Sequence, residues 1–415
     1  MKKRSFLLLV ISSFIIYQGV IFYLNSGETQ ATNEVWTAFV GRDTTVGILP
    51  DAYANYYTYT SVRTSDDIGF KITGLYPDSR YFSFNVYSLG DNATQGSIID
   101  HEIIPDSGFV NPFISTVDRR LDQRYTIYIA PDKGHHEEAK NILYFKSDAR
   151  LIAIVLRLYD YNRDDTGGVP LPYVQAIDIS KPTDIESHFI KLPRPLDLRK
   201  IVRRRSLPGM VKRLSVLYET EQNILAEEKL DQAYQVPIPF HAIDTKGYIE
   251  NNDNRYLLAG ITRAENEVYV FKFKSPDYVS DVDDIIDSQV RYWSFNLGNA
   301  ASYNFNAIKD DDALTDSLGY VTIVLGDKDQ QIQDLCLQRG FNFMHWNMTW
   351  NKALILFRHM LADPSFEAQI DDVPAISSGL SDFKQLEASK YMGDYAPRGL
   401  RMSTETFINR YEAIQ

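Results

Sequence analysis

Hydrophobic and polar positions alternate with period two along much of the chain. In RYFSFNVY (80–87), Phe82, Phe84 and Val86 interleave with Tyr81, Ser83, Asn85 and Tyr87. That is the pattern of a strand with one apolar face. LIAIVLRLY (151–159) is instead a near-continuous apolar run, as in a central strand, and it ends in the turn-rich stretch DYNRDDTGG. Clusters of Gly, Asp and Asn recur at intervals suited to antiparallel sandwiches rather than βαβ units.

Several strand-like segments occur twice. RYFSFN (80–85) returns as RYWSFN (291–296), identical at five of six positions at an offset of 211. YTIYIAPDK (125–133) aligns without a gap with YVTIVLGDK (320–328). LIAIVLRL (151–158) aligns with KALILFRH (352–359), which sets Arg157 opposite Arg358. Three collinear matches with offsets of 211, 195 and 201 indicate an old duplication with drift in loop length. The expected fold is mainly β: two tandem antiparallel sandwiches of the jelly-roll sort.

Two stretches break the β pattern. Residues 195–235 are charged and helical in period, with Val211, Leu214, Leu217, Ile224, Leu225 and Leu230 on one stripe and prolines at the ends. At the start, Lys2, Lys3 and Arg4 precede 19 largely apolar residues, Phe6 to Leu24. As a helix these span about 28 Å, close to the ~30 Å hydrocarbon core of a bilayer. The flank NSGETQATNE offers only a poor cleavage site, so a retained anchor is favoured over a cleaved signal. The positive-inside bias keeps the basic head cytoplasmic and places the rest outside. The expected organisation is a signal-anchor at 1–30, a first sandwich at 31–194, a helical connector at 195–235, and a second sandwich with a C-terminal extension at 236–415.

Composition narrows the function. Net charge is −12, and setting aside the three basic residues at the start leaves −15 on the remainder, which repels a phosphate backbone and argues against nucleic acid. A single cysteine, Cys336, rules out an intrachain disulfide framework or a cysteine zinc site. The expected partners are the membrane, through the N-terminal helix, and an envelope or small-molecule ligand.

RYFSFNVY, IIPDSGFVNPF (103–113) and LRLYDYNRDDTGGVPLPYV (156–174) resemble exported bacterial proteins of unknown function, the paired domain families 1254 and 1214. RYWSFN and FRHMLADPSF (357–366) are similar to a related exported group. NILYF (141–145) departs from the families, which more often carry a Trp-Leu-Pro element there. The resemblance implies a β-sandwich fold and export, and brings no reaction or catalytic residue.

Candidate chemistry is sparse. Asp160, Asn162 and Asp164 have the spacing that begins a calcium loop, but Asp165 stands where an EF-hand needs Gly and Leu171 where it needs Glu. Only a looser calcium site remains open, and no other cofactor is expected. Acidic runs at 281–287 and 310–316 and the pair His135-His136 read mainly as solvated loops. No HExxH, GxSxG or phosphate-cradling glycine loop is present.

Arg157 and Arg358 stand out, each near the end of an apolar strand, where an uncompensated guanidinium is costly. They read as paired structural groups or as carboxylate clamps, with Tyr81, Tyr292 and Trp293 as neighbouring ligand-binding candidates. Three functions stay open: a non-catalytic ligand-binding or envelope-associated module, an extracytoplasmic hydrolase or lyase acting on carbohydrate or envelope material, and a structural assembly subunit.

Overall fold

The computed structural model describes residues 33–40, 51–63, 65–90, 93–114, 122–132, 140–180, 189–198, 236–243, 250–263, 265–280, 288–298, 304–347, 349, 351–376 and 387–412. The apolar segment 6–24 and nearly all of the 195–235 connector lie outside these residues. No helix among those described is long and apolar enough to cross a membrane.

The protein is mainly β, and it divides into two units. The first comprises residues 1–40 and 54–200; the second comprises residues 41–53 and 201–415. The first unit holds β1 (Thr37–Val40), β2 (Ala54–Val62), β3 (Ile68–Leu75), β4 (Ser79–Ser88), β5 (Ala93–Ile99), β6 (Arg124–Pro131), β7 (Ile142–Phe145), β8 (Leu151–Tyr161), β9 (Tyr173–Asp178) and β10 (Phe189–Ile190). They form two five-stranded sheets, ordered β1-β2-β8-β4-β5 and β10-β9-β3-β6-β7. Phe82, Phe84, Ile154 and Leu156 from one sheet meet Phe70, Ile72, Ile127, Ile129 and Val174 from the other in a single core. The period-two alternation is what delivers those side chains to one face.

The second unit holds β11 (Val236–Ile238), β12 (His241–Ala242), β13 (Asn254–Thr262), β14 (Glu267–Lys274), β15 (Tyr292–Gly298), β16 (Asn304–Lys309), β17 (Tyr320–Gly326), β18 (Asn342–His345), β19 (Lys352–Met360) and β20 (Arg398–Ser403). Its sheets run β12-β13-β19-β15-β16 and β11-β20-β14-β17-β18, so every sheet position of the first unit has a counterpart. Trp293, Phe295, Ile355 and Phe357 face Phe271, Phe273, Val321 and Ile323 across the second core.

The counterparts agree in register as well as in order. Arg157 lies between Ser83 and Tyr56 on its neighbouring strands, and Arg358 lies between Ser294 and Tyr256. Asp100 accepts the backbone N–H of Phe82, and Asp310 that of Trp293, each at 2.9 Å.

Two expectations need correction. First, the ungapped match of 125–133 with 320–328 is one residue out. Asn141 donates to the carbonyl of Thr126 and Asn342 to that of Thr322, which gives an offset of 196. The shorter offset would send Ile127, a core residue, to the face of Thr322, because a one-residue slip exchanges the two faces of a strand.

Second, the sheets are not wholly antiparallel. β6–β7 and β17–β18 are parallel, a pairing that an antiparallel jelly roll does not contain. In the second unit the crossover is a helix, α1 (Gln330–Arg339), so a βαβ unit is present after all. Asp329 caps its first turn by accepting from the N–H groups of Gln331 and Ile332. Gly340 ends it in the left-handed region at φ 66°. Ile332, Leu335 and Cys336 line its buried stripe, packed with Phe407 of α2 (Thr404–Glu412).

Candidate functional site

Three places in the fold hold groups of chemical interest. Two are the buried arginines, which alternation points away from the sandwich cores. Arg157 is 3% exposed. It donates to the Asn85 Oδ1 and, at 2.7 Å, to the Tyr87 hydroxyl. It also lies 5.7 and 5.6 Å from the ring centres of Tyr56 and Tyr87, within cation–π range. Burial opposes its charge, but the electrostatic interaction with Tyr87, Tyr159, Tyr56 and Tyr81, whose phenols turn anionic at high pH, outweighs this and raises its pKa. Tyr81 stacks edge-on with Tyr159 at 5.6 Å in the same cluster.

Arg358 has a different partner. It forms an ion pair with Asp51, and both side chains are buried. Asp51 also accepts from the Tyr292 hydroxyl at 3.0 Å and from the Ser294 hydroxyl at 2.6 Å. The arrangement gives the guanidinium a carboxylate, and gives that carboxylate three further donors, the third being the backbone N–H of Tyr53 at 2.9 Å, which a buried pair needs. Arg358 therefore holds a carboxylate from its own chain. Trp293 does not join it: by alternation it points into the core against Phe273 and Phe357, its Nε1 donating to the Ser275 hydroxyl at 3.1 Å.

The proposed calcium loop comes apart. Asp160 pairs with Arg80 at 2.7 Å, and Asn162 donates to Asp78 at 3.1 Å. Asp164 accepts from the backbone N–H groups of Gly168 and Thr166 and from the Thr166 hydroxyl, and these bonds hold its pKa below the usual carboxylate range. The side chains serve three separate structural contacts rather than one centre. Among the described residues no group of three His, Cys, Asp or Glu is placed to hold a metal ion. Asp310 and Asp316 are taken up by backbone N–H groups, while His135, His136 and 281–287 lie outside the described residues.

The third place is a cleft of about 1060 Å³ in the second unit. Lys274 at the end of β14 and Tyr320 at the start of β17 form one side; Asp363, Phe366 and Glu367 after β19 and Tyr391, Asp394 and Tyr395 before β20 form the other. Tyr320 donates to Asp394 at 2.7 Å, which raises the pKa of the phenol, and Arg398 holds the same carboxylate at 3.1 Å. The Lys274 ammonium sits 5.4 Å from the ring centre of Tyr395. Asp363 accepts from the hydroxyl and N–H of Ser365, and its pKa falls below the usual range. That is the reverse of what a proton-donating acid needs. Sequence reasoning passed over this cleft, because its residues come from turns with no periodicity; the aromatic pair in YMGDY, Tyr391 exposed and Tyr395 half-buried, was the one local sign.

No family model matches the chain, and no curated protein matches it. The chain is similar in structure to an uncharacterised protein of Burkholderia cenocepacia, at 12% identity and a TM-score of 0.53, over 89% of this chain and 82% of that one. A Vibrio parahaemolyticus protein covers 76% of this chain and 86% of its own length, at 12% identity and a TM-score of 0.36. The first likeness is one of fold alone, shared with a bacterial protein of unknown function.

Proposed function

We propose that this is an exported, membrane-anchored binding protein without a catalytic centre, whose ligand occupies the cleft around Tyr320, Tyr391 and Tyr395. The cleft carries the reading: its volume lies just above the range of small-molecule sites, about 300–1,000 Å³, and it combines flat aromatic rings with a few polar groups. Export and anchoring rest on Phe6–Leu24 and its basic head. The paired strand orders and the twin Ser–Arg–Tyr registers support descent of the two units from one duplicated sandwich. On this reading the buried arginines are structural rather than ligand clamps.

Two measurements test it. A reporter active only in the cytoplasm, fused after residue 40, should be inactive; strong activity reverses the topology. Thermal denaturation of the full chain against a collection of sugars, peptides and organic ions should reveal stabilisers whose effect disappears in Tyr391→Ala. If no compound stabilises the parent, assembly becomes the better reading.

A further inference from the structure

The lining of the cleft narrows what it can take, given the binding reading above. Its charged groups are three carboxylates, Asp363, Glu367 and Asp394, against the single ammonium of Lys274. Arg398 neutralises Asp394 without lining the cleft. The remaining surplus is negative in a chain that is itself acidic, so phosphates and uronic acids are repelled.

A lipid tail fits no better. The lining carries three carboxylates, an ammonium and the Gln289 amide, and an alkyl chain laid against them would strip their hydration with nothing in return. Among the apolar groups, Phe366 is buried, while Leu318 and Tyr391 stand 73% and 40% exposed at the rim.

What matches is a molecule with flat C–H faces edged by hydroxyls. Carboxylate and amide groups such as Glu367 and Gln289 can accept from or donate to adjacent hydroxyls, while the exposed ring of Tyr391 can cover a face between them. The supporting groups are fixed in advance. Tyr320 is held by Asp394, Asp394 by Arg398, and Gln289 accepts from the backbone N–H of Asp277 at 3.0 Å. Such preorganisation lowers the cost of ordering on binding.

We infer that the cleft of the second unit binds an uncharged saccharide chain, with the exposed ring of Tyr391 as its stacking platform and Glu367, Gln289 and Lys274 as its hydroxyl contacts. The bound rings lie across the rim between Leu318 and Tyr391, and the tyrosine at 391 contributes through its face rather than its hydroxyl.

The test uses the full chain, fluorescently labelled, in a detergent without a sugar headgroup. It is applied to an array of neutral glycans, uronic-acid glycans and lysine oligomers. Neutral glycans should bind and uronic-acid glycans should not. Tyr391→Ala should weaken glycan binding roughly tenfold, while Tyr391→Phe, which keeps the ring, stays within about threefold of the parent. An unchanged melting temperature for both variants excludes misfolding as the cause. If lysine oligomers bind and lose affinity in Tyr391→Ala while no neutral glycan binds, the cleft is a binding site but the saccharide assignment falls. If nothing on the array and nothing in the stabilisation screen depends on Tyr391, the binding reading falls with it.

Discussion

Removing the Asp51 carboxylate should be among the most damaging single changes available to the second unit. In Asp51→Leu, the Arg358 guanidinium stays buried at 1% exposure without its counter-charge, and Tyr292 and Ser294 lose their shared acceptor. Stranding one member of a buried pair costs about 3–5 kcal/mol. With a guanidinium chloride m-value of roughly 2–6 kcal/mol/M, the unfolding midpoint should fall by about 1 M. Tryptophan fluorescence follows the transition, because Trp293 and Trp346 are buried in the second core. The double variant Asp51→Leu/Arg358→Met removes both charges and should recover much of the loss, whereas independent effects would add. A midpoint shift below about 0.2 M for Asp51→Leu, or simple additivity in the double variant, would refute the claim that this carboxylate holds that arginine. The matching change in the first unit, Arg157→Met, takes a donor from the neutral Asn85 oxygen and Tyr87 hydroxyl and should cost about 1–3 kcal/mol.

Three further outcomes are expected. Burial pushes the pKa of His359 down to about 3, so the unfolded chain gains a proton near pH 6.5 that the folded chain refuses until about pH 3. Stability is therefore lost as pH falls through that window, at up to about 1.4 kcal/mol per unit, and His359→Leu should flatten this part of the curve relative to the parent. A Cβ at Gly399 would lie 2.7 Å from that of Ile238 and 2.8 Å from the ring of Phe271, so Gly399→Ala should cost about 1–3 kcal/mol in denaturant titration. Cys336 is buried, and its thiol pKa is pushed up to about 12, so alkylation of the native protein at pH 8 should be slow and should accelerate on unfolding; rapid native labelling would place the thiol at the surface.

The sequence was most readable where chemistry repeats locally. RYFSFN and RYWSFN do occupy counterpart strands, since alternation and an identical polar face survive in a few contiguous residues. The helix α1 was missed because its stripe is only Ile332, Leu335 and Cys336 among seven polar or exposed neighbours, although Asp329 and Gly340 mark its ends. The slip in the second repeat arose because shared Tyr, Asp and Lys outweighed the face each strand position must present. Asp51 could not be foreseen as the partner of Arg358, since the two are 307 residues apart and no periodicity links them. The cleft was hidden for the same reason: five separate stretches of chain supply its walls.

The ion pair of Asp51 and Arg358 also sets an order of events during synthesis. Asp51 belongs to the second unit but lies in the chain between β1 and β2 of the first, so it leaves the ribosome long before the strand that receives it. At roughly 5–20 residues per second, the 307-residue gap amounts to about 15–60 s in which this acid has no basic partner from β19. The second sandwich is thus completed by a piece of chain made before the first sandwich was finished. A fragment beginning at residue 201 lacks that piece and should accumulate as a poorly folded species, which co-expression of the N-terminal portion would rescue.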